Sequence, residues 1–445
     1  MVTQPIGSGI LQDKKREAGE RLIWVLSVAF IGLVVLITAY LVRHYLFTLA
    51  TLYHKKETPP SSSNKTIHEP KVSVMIPAHN EEQVIERILQ RMTELTYPKE
   101  KLEVIVIDDA SADRTGEKAK LFAKNYSFIH VVRRDPAYGG RGKPEALNRG
   151  LKHVSGEIIY CFDADYYPQR DVIEKLTACF RDPKVGAVQG RITVLNEPDS
   201  IVTRLVALER TGGYRVDQFA RNELGLIAQF GGTVGGFRRS LIEQLRGWDP
   251  DMLAEDTDLT FRIYLAGYKI KYVNDADCYE EAVDNWRSYW RQRSRWAKGH
   301  MQCAFRHIWP IIWSRNLRLR EKVDGFLLLN IYFVPLFAVL AWILGAVLFL
   351  LQPLGWTNLL WMAVPISFYS SVGNFAPFFE VGIGAYLDGR NRICWLIPLL
   401  FLTFMLNVLI CAKALIDLCV SKITGKKRHK WSKTVHNGNG SHYIR

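Results

Sequence analysis

The sequence predicts an α/β domain with a mostly parallel sheet, held between apolar segments long enough to cross a bilayer. Three observations lead there. Between Lys71 and Gly299, short β-rich runs alternate with helical patterns, as in sheets whose strands are joined by crossover helices. Residues 22–42 and 325–379 carry no charged side chain. Apolar residues make up 48% of the 445-residue chain, yet mean hydropathy is close to zero, so they are unevenly placed.

Taken in order, residues 1–56 form a tail and an anchor. The run 22–42, bracketed by Arg21 and Arg43, reaches roughly 31 Å, one hydrocarbon core. It exceeds a signal-peptide core, and no small-residue cleavage site follows. Residues 57–70, opening Glu57-Thr58-Pro59-Pro60-Ser61, read as a polar linker. Residues 71–283 form the α/β domain, with strands expected at 72–77, 102–108, 129–133, 157–163 and 185–189. Helices are expected at 81–95, 114–125, 144–153 and 169–181. Residues 284–324 are rich in Trp and Arg, the composition of amphipathic interfacial helices.

Residues 325–420 form a C-terminal membrane region. Gln352-Pro353-Leu354-Gly355 divides its charge-free run, and Ile393 to Cys411 opens a further span. Lys422, Lys426, Lys427, Arg428, Lys430 and Lys433 of the 421–445 tail favour the cytosolic side, as do Arg390 and Arg392. One simple crossing between the two groups cannot satisfy both. Either irregular passes through 359–388, interrupted at Gly373-Asn374 and Pro377, or a last segment that does not cross simply resolves this; irregular passes are the favoured expectation and give three or four passes in all.

The net charge of +14 favours an anionic partner, either lipid or a phosphorylated substrate. No zinc-finger, basic-zipper or RNA-binding signature is present, which argues against nucleic acid. Seven scattered cysteines without a C-x-x-C pair fit reduced thiols in a cytosol-facing domain.

Three acidic clusters stand at expected element ends. Asp108-Asp109 closes the 102–108 strand, where ligands sit in open α/β sheets; it serves either a ligand or, as an N-cap, the next helix, a role open to Asp113 as well. Asp163-Ala164-Asp165 closes the 157–163 strand. Its i, i+2 spacing on an extended segment puts two hard oxygen donors on one side, suited to Mg²⁺ or Mn²⁺ shared with phosphates. Glu255-Asp256 opens a helix ended by Gly267, and the helix dipole favours an ionised Asp256 there. Gly139-Gly140-Arg141-Gly142-Lys143-Pro144 precedes another helix and reads either as phosphate contact through Lys143 or as a surface turn. Gln292-Arg293-Ser294-Arg295-Trp296 combines cations with an aromatic face beside the membrane region.

The ordered set Asp108-Asp109, Asp163-x-Asp165, Glu255-Asp256 and Gln292-x-x-Arg295-Trp296 resembles the processive membrane glycosyltransferases of family 2. These include cellulose, chitin, hyaluronan and poly-N-acetylglucosamine synthases. Pro77-Ala78-His79-Asn80-Glu81, Gly142 to Asn148, and Gly231-Gly232-Thr233 with Arg238-Arg239 also look like that family. The resemblance implies a GT-A fold and inverting transfer from a UDP-sugar to a growing polysaccharide. By matching position, Pro77, Asn80, Glu81, Asp108 and Asp109 would hold uridine, with Lys143 near the nucleotide. Asp165 and Asp163 would carry Mg²⁺ or Mn²⁺, and Asp256, beside Glu255, would be the general base. Gln292, Arg293 and Arg295 would secure the diphosphate, and Trp296 would stack under the acceptor sugar.

Ala254-Glu255-Asp256 differs from the Thr-Glu-Asp of cellulose-type members and the Gly-Asp-Asp of hyaluronan-type ones. Gly231-Gly232-Thr233 stands where cellulose-type enzymes carry Phe-Cys-Gly. The expected location is the plasma membrane, multi-pass, with a cytosolic catalytic domain and room for an accessory subunit. Non-processive transfer to a lipid carrier or glycolipid is the alternative, and a nucleotide-sensing scaffold is the alternative outside enzymes.

Overall fold

The computed structural model describes residues 7–53, 69–137, 139–351, 364 and 375–425. Most of the expected linker, the Gln352 to Gly355 break, Gly373-Asn374 and the tail from Lys426 lie outside them.

The chain opens with a single helix, α1 (Gly7–Tyr53), which extends well beyond the expected span on both sides. An eight-stranded sheet follows: β1 (Val72–Ala78), β2 (Leu102–Asp108), β3 (Ile129–Arg133), β4 (Ile158–Cys161), β5 (Tyr167–Pro168), β6 (Val185–Val194), β7 (Gly235–Arg238) and β8 (Lys269–Glu280). Its order is β3-β2-β1-β4-β7-β6-β8-β5. Strands β3, β2, β1 and β4 are parallel, and their near-continuous burial fits a sheet covered on both faces. The expectation of a mostly parallel sheet holds for this half and for the β6–β8 pair. Strand β7 runs antiparallel between β4 and β6, and β5 runs antiparallel to β8, so the sheet is mixed.

Helices α2 (Ile85–Glu94), α3 (Thr115–Asn125) and α4 (Lys143–Gly150) cover the parallel half, and α5 (Val172–Thr177) packs on β6, β7 and β8. Next, α6 (Ile201–Arg210) passes into a π-helical stretch, Thr211–Gln218, and on into α7 (Phe219–Glu223). Helices α8 (Arg239–Gln244) and α9 (Glu255–Leu265) precede α10 (Trp286–Trp313), 28 residues that carry the Gln292 to Trp296 motif. Asn285 caps α10 by accepting the Ser288 N–H at 2.9 Å.

Helices α11 (Leu319–Asn330) and α12 (Val334–Leu351) form one apolar rod. Helix α13 (Ala376–Leu387), a 3₁₀ segment (Asn391–Leu399) and α14 (Leu400–Thr424) complete the described chain. Among the described residues, three helical segments are long and apolar enough to cross a membrane: Arg16–Tyr53, Leu319–Leu351 and Asn391–Thr424. Ile37 of α1 packs with Ala338 and Ala341 of α12.

A buried ion network joins these helices to the domain. Arg221 of α7 is 1% exposed and pairs with Asp217 of the π-helix and, at 2.5 Å, with Asp324 of α11. Arg43 of α1 reaches Asp217 at 3.2 Å. Asp324 also accepts the Ile227 backbone N–H at 3.0 Å. Removing one member of a buried pair strands the others away from water. Arg221→Met is therefore expected to cost about 3–5 kcal/mol, read as a lower melting temperature of the detergent-solubilised protein. Arg43→Met, which loses one ion pair, should cost less.

Candidate active site

The parallel strands end at a cavity of about 430 Å³, the usual place for a ligand in an open sheet. Its sheet end is built by the last residues of β1 and the segments after β1 and β2, where Pro77, His79, Glu81 and Asp109 line the wall. Asp109 is 4% exposed and pairs with Arg134 at 2.5 Å. Burial raises its carboxyl above the ordinary range, against the opposing Arg134 charge. His79 Nδ1 lies 2.7 Å from the Asp109 carbonyl.

Two expected uridine ligands do not line the cavity. Asp108 is fully buried, accepts the Ser111 N–H at 2.9 Å and faces Arg133, so it shapes the turn after β2. Asn80, at φ 54°, braces the same turn: its Oδ1 accepts the Ala112 N–H at 2.8 Å and its N–H donates to Ser111 Oγ. Asp113, the other capping candidate, accepts the Thr115 N–H at 3.0 Å just ahead of α3, where Arg114 holds the N-cap position without a side-chain bond.

Asp163 and Asp165 both line the centre of the cavity. They sit on a turn, with the Tyr166 N–H bonded to the Asp163 carbonyl at 3.2 Å, and not on the extended segment that the i, i+2 argument assumed. Lys143, the first residue of α4, pairs with Asp163 at 2.5 Å and donates to the Gly232 carbonyl at 2.9 Å. Desolvation opposes its charge, but Asp163 and Glu255 hold its ammonium above the usual range. Among the described residues, no three His, Cys, Asp or Glu side chains converge as a metal cage. The two carboxylates fit a divalent cation only if substrate phosphates complete its shell, the habit of Mg²⁺ sites.

Glu255 and Asp256 stand in the first turn of α9. Gly232, at φ +88°, passes so close that a Cβ there would lie 3.1 Å from Asp256 Oδ2. Only glycine adopts that backbone without cost. The Gly231-Gly232-Thr233 loop also ties the motifs together, since Thr233 Oγ1 accepts the Asp163 N–H at 3.0 Å. Burial, then the neighbouring Asp256, push the Glu255 carboxyl up to about 7, while Lys143 and Arg295 oppose the shift.

Helix α10 closes the opposite side, and Gln292, Arg293, Arg295 and Trp296 all line the cavity. Their roles divide differently from the expectation. Arg293 pairs with Glu209 of α6, and its guanidinium lies 4.5 Å from the Trp296 ring centre. A second guanidinium, from Arg210, lies 5.1 Å from the same ring and is itself bound to Glu280. Cations thus cover the Trp296 ring where a sugar was expected, and Arg293 orients that ring. Arg295 has no ion pair among the described residues and faces the Glu255 charge.

Arg210, Tyr214, Glu280, His300 and Tyr332 also line the site and escaped the sequence reading. His300 could have been sought one helical turn beyond Trp296. The others had no local signal.

The sequence signature of glycosyltransferase-like family 2 matches residues 70–299. The chain belongs to that family. It is a glycosyltransferase with a GT-A-like fold. The family 2 domain holds every motif residue of the cavity. YdaM of Bacillus subtilis strain 168, described as a probable glycosyltransferase, is 39% identical over 275 residues, 61% of this chain and 64% of that protein. A β-monoglucosyldiacylglycerol synthase of Trichormus variabilis is 30% identical over 83% of this chain and 77% of its own. A poly-β-1,6-N-acetyl-D-glucosamine synthase of Staphylococcus epidermidis is 31% identical over 56% of this chain and 59% of its own. The match thus spans under two thirds of the first and third of these relatives. Among solved structures, a mannosyltransferase of Pyrobaculum calidifontis, in complex with GDP-Man and Mn²⁺, shares the fold: TM-score 0.55, 24% identity, covering 83% of this chain and 98% of that one.

The Glu255 shift predicts a pH dependence. Its folded value of about 7 exceeds the ordinary carboxylate value of 4.5. The folded form therefore binds the proton more tightly, and this contribution fades as pH rises through 7. Glu255→Gln keeps the neutral form at every pH. Relative to wild type it should melt near-equally at pH 5 and higher at pH 8, by about 1–3 kcal/mol. Equal melting differences at both pH values would remove the buried-carboxyl explanation.

Proposed function

We propose that this glycosyltransferase moves a sugar, with inversion, from a UDP-sugar to a growing β-linked polysaccharide at the cytosolic face of the cell membrane, and passes the product toward its own spans. One observation carries the reading. The cavity runs unbroken from Pro77 and Asp109, past the carboxylates, to Leu328, Ile331 and Tyr332, where α11 leads into the span that contains α12. Donor and acceptor ends thus face the sheet and the membrane respectively.

Asp109, with the Pro77 to Glu81 wall, receives the uridine. Asp163 and Asp165 would hold Mg²⁺ or Mn²⁺ together with the donor diphosphate, and that cation would neutralise charge on the departing phosphate. Arg295 and Gln292 supply charge-assisted hydrogen bonds to the same group from the opposite wall. Asp256 takes the proton from the acceptor hydroxyl, a role worth about 10²–10⁴-fold. Arg293 and Arg210 fix Trp296, which bounds the acceptor end. Attack opposite the leaving group converts an α-linked donor into a β-linked product.

A second reading, single transfer to a glycolipid, is favoured by apolar Leu328 and Ile331 at the acceptor end. The relative with the longest coverage among the three reported, the β-monoglucosyldiacylglycerol synthase, supports it too.

Membranes incubated with UDP-glucose, UDP-N-acetylglucosamine, UDP-glucuronate or UDP-galactose are expected to release UDP with one of them, and a chelator should abolish the release. Asp256→Asn should reduce it about 10²-fold or more; full release would remove Asp256 from the base role. Radiolabel in long, lipid-insoluble polymer supports the first reading. Label in one extractable lipid species overturns it for the second.

A further inference from the structure

We infer that α14 lies in the plane of the membrane beside α10 and does not cross it, so that both its ends stay on the catalytic side. The inference rests on the membrane placement of α1 and α12 proposed above. By length and apolarity alone, Asn391–Thr424 could span. Its straight, charge-free portion is only residues 400–412, because Pro398 and the 3₁₀ segment precede it and Lys413 and Asp417 follow. Thirteen residues reach about 20 Å, short of the roughly 30 Å hydrocarbon core.

The packing decides the direction. Upstream of α14, Asp388 pairs with Arg191 of β6 at 2.7 Å. Arg390 pairs with Glu197 and donates to the Val194 carbonyl at 3.2 Å. Ile393 and Leu396 sit in one cluster with Val202 and Leu205 of α6. Along α14, Asn407 lies beside the Tyr289 hydroxyl of α10, and Asp417 pairs with Lys298 of α10. Contacts nine residues apart on α10 and ten apart on α14 mean advances of about 14 and 15 Å. The two helices therefore run side by side in the same direction. Ile410, Cys411 and Ala414 fill the seam against Ala297 and Met301.

Helix α10 cannot leave the domain surface. It is held at Arg293 to Glu209, at Gln302 to the Leu253 N–H, at Arg306 to Asp249 and at His307 to Asp258. A helix parallel to it over this length is held at the same level.

The face of α14 turned from the seam shows Leu402, Leu409, Ile416 and Ile423, each more than half exposed. Their seven-residue spacing makes one stripe. On α10, Phe305, Trp309 and Trp313 make another. With Lys413 and Lys422 on the same helix, this is the build of a helix seated at the headgroup–acyl boundary. Its occupant is lipid, continuous with the lipid around α1 and α12. This placement also satisfies the basic residues on both sides of α14 with no crossing between them.

Variants Leu402→Cys, Leu409→Cys and Ile416→Cys, in a Cys179→Ser/Cys394→Ser/Cys419→Ser background that leaves only the buried Cys161, Cys278, Cys303 and Cys411, carry a fluorophore on the one accessible thiol in vesicles of phosphatidylethanolamine and phosphatidylglycerol. Quenching by lipids bearing shallow or deep nitroxides reads depth. All three should be shallow and agree within about one helical turn, ~5 Å. Successive steps of about 10 Å, as a crossing helix gives, overturn the proposal. Val28→Cys on α1 should be deep; if it is not, the membrane placement itself fails, and the proposal with it. As an independent readout, a membrane-impermeant maleimide should reach Gly425→Cys and Glu117→Cys, on catalytic helix α3, from the same side of sealed vesicles. Labelling from opposite sides overturns the proposal.

Discussion

The arrangement of the site depends on one fully buried carboxylate, Asp258. It lies in the first turn of α9 and takes Arg262 at 2.7 Å, His307 at 2.8 Å and Arg306 at 3.2 Å. Desolvation disfavours its charge, but the His307 hydrogen bond and the arginines outweigh that and hold the carboxyl below its usual range. A charge buried so deeply fixes its partners tightly, since each alternative geometry leaves it unpaired. Two of those partners sit near the far end of α10. Asp258 therefore sets the line of α10 against α9, and with it the gap between Arg295 and the Glu255-Asp256 pair.

The same economy of charge recurs across the cavity. Lys143 is held by Asp163 and a loop carbonyl, Arg210 by Glu280, and Arg293 by Glu209. Arg295 stands apart, opposed to a carboxyl that is near half-protonated at neutral pH. The π-helical turn contributes Tyr214, Asp217 and Gln218 to the wall, and such widened turns often occur at functional sites.

The parallel half of the sheet was legible because strands buried on both faces read as unbroken apolar runs, as at Val72–Ala78 and Leu102–Asp108. In the other half only the start of β6, expected at 185–189, was legible. Strand β7 is Gly-Gly-Phe-Arg, where Tyr160 packs so closely that a Cβ on Gly236 would stand 2.3 Å from its ring. Strand β8 carries Asp277 and Glu280, whose arginine partners Arg191 and Arg210 lie 86 and 70 residues away. Within the site, the acidic clusters and the Gln292 to Trp296 motif were readable as residue types. Which of Asp108 and Asp109 faces the cavity was not. They are neighbours on one strand end, so one turns inward to the turn and the other toward the cavity. Likewise the sequence offers no sign that Arg293 and Arg210 cover the ring of Trp296.

Helix α10 changes character along its length. Its middle lines the polar cavity with Arg295 and Trp296, and its end leaves Phe305, Trp309 and Trp313 exposed. Pro310 stands in that last stretch, where its ring removes a backbone donor from the helical ladder. The exposed aromatic end is thus mechanically separated from the part that bounds the pocket, which Arg293 and His307 hold against the domain.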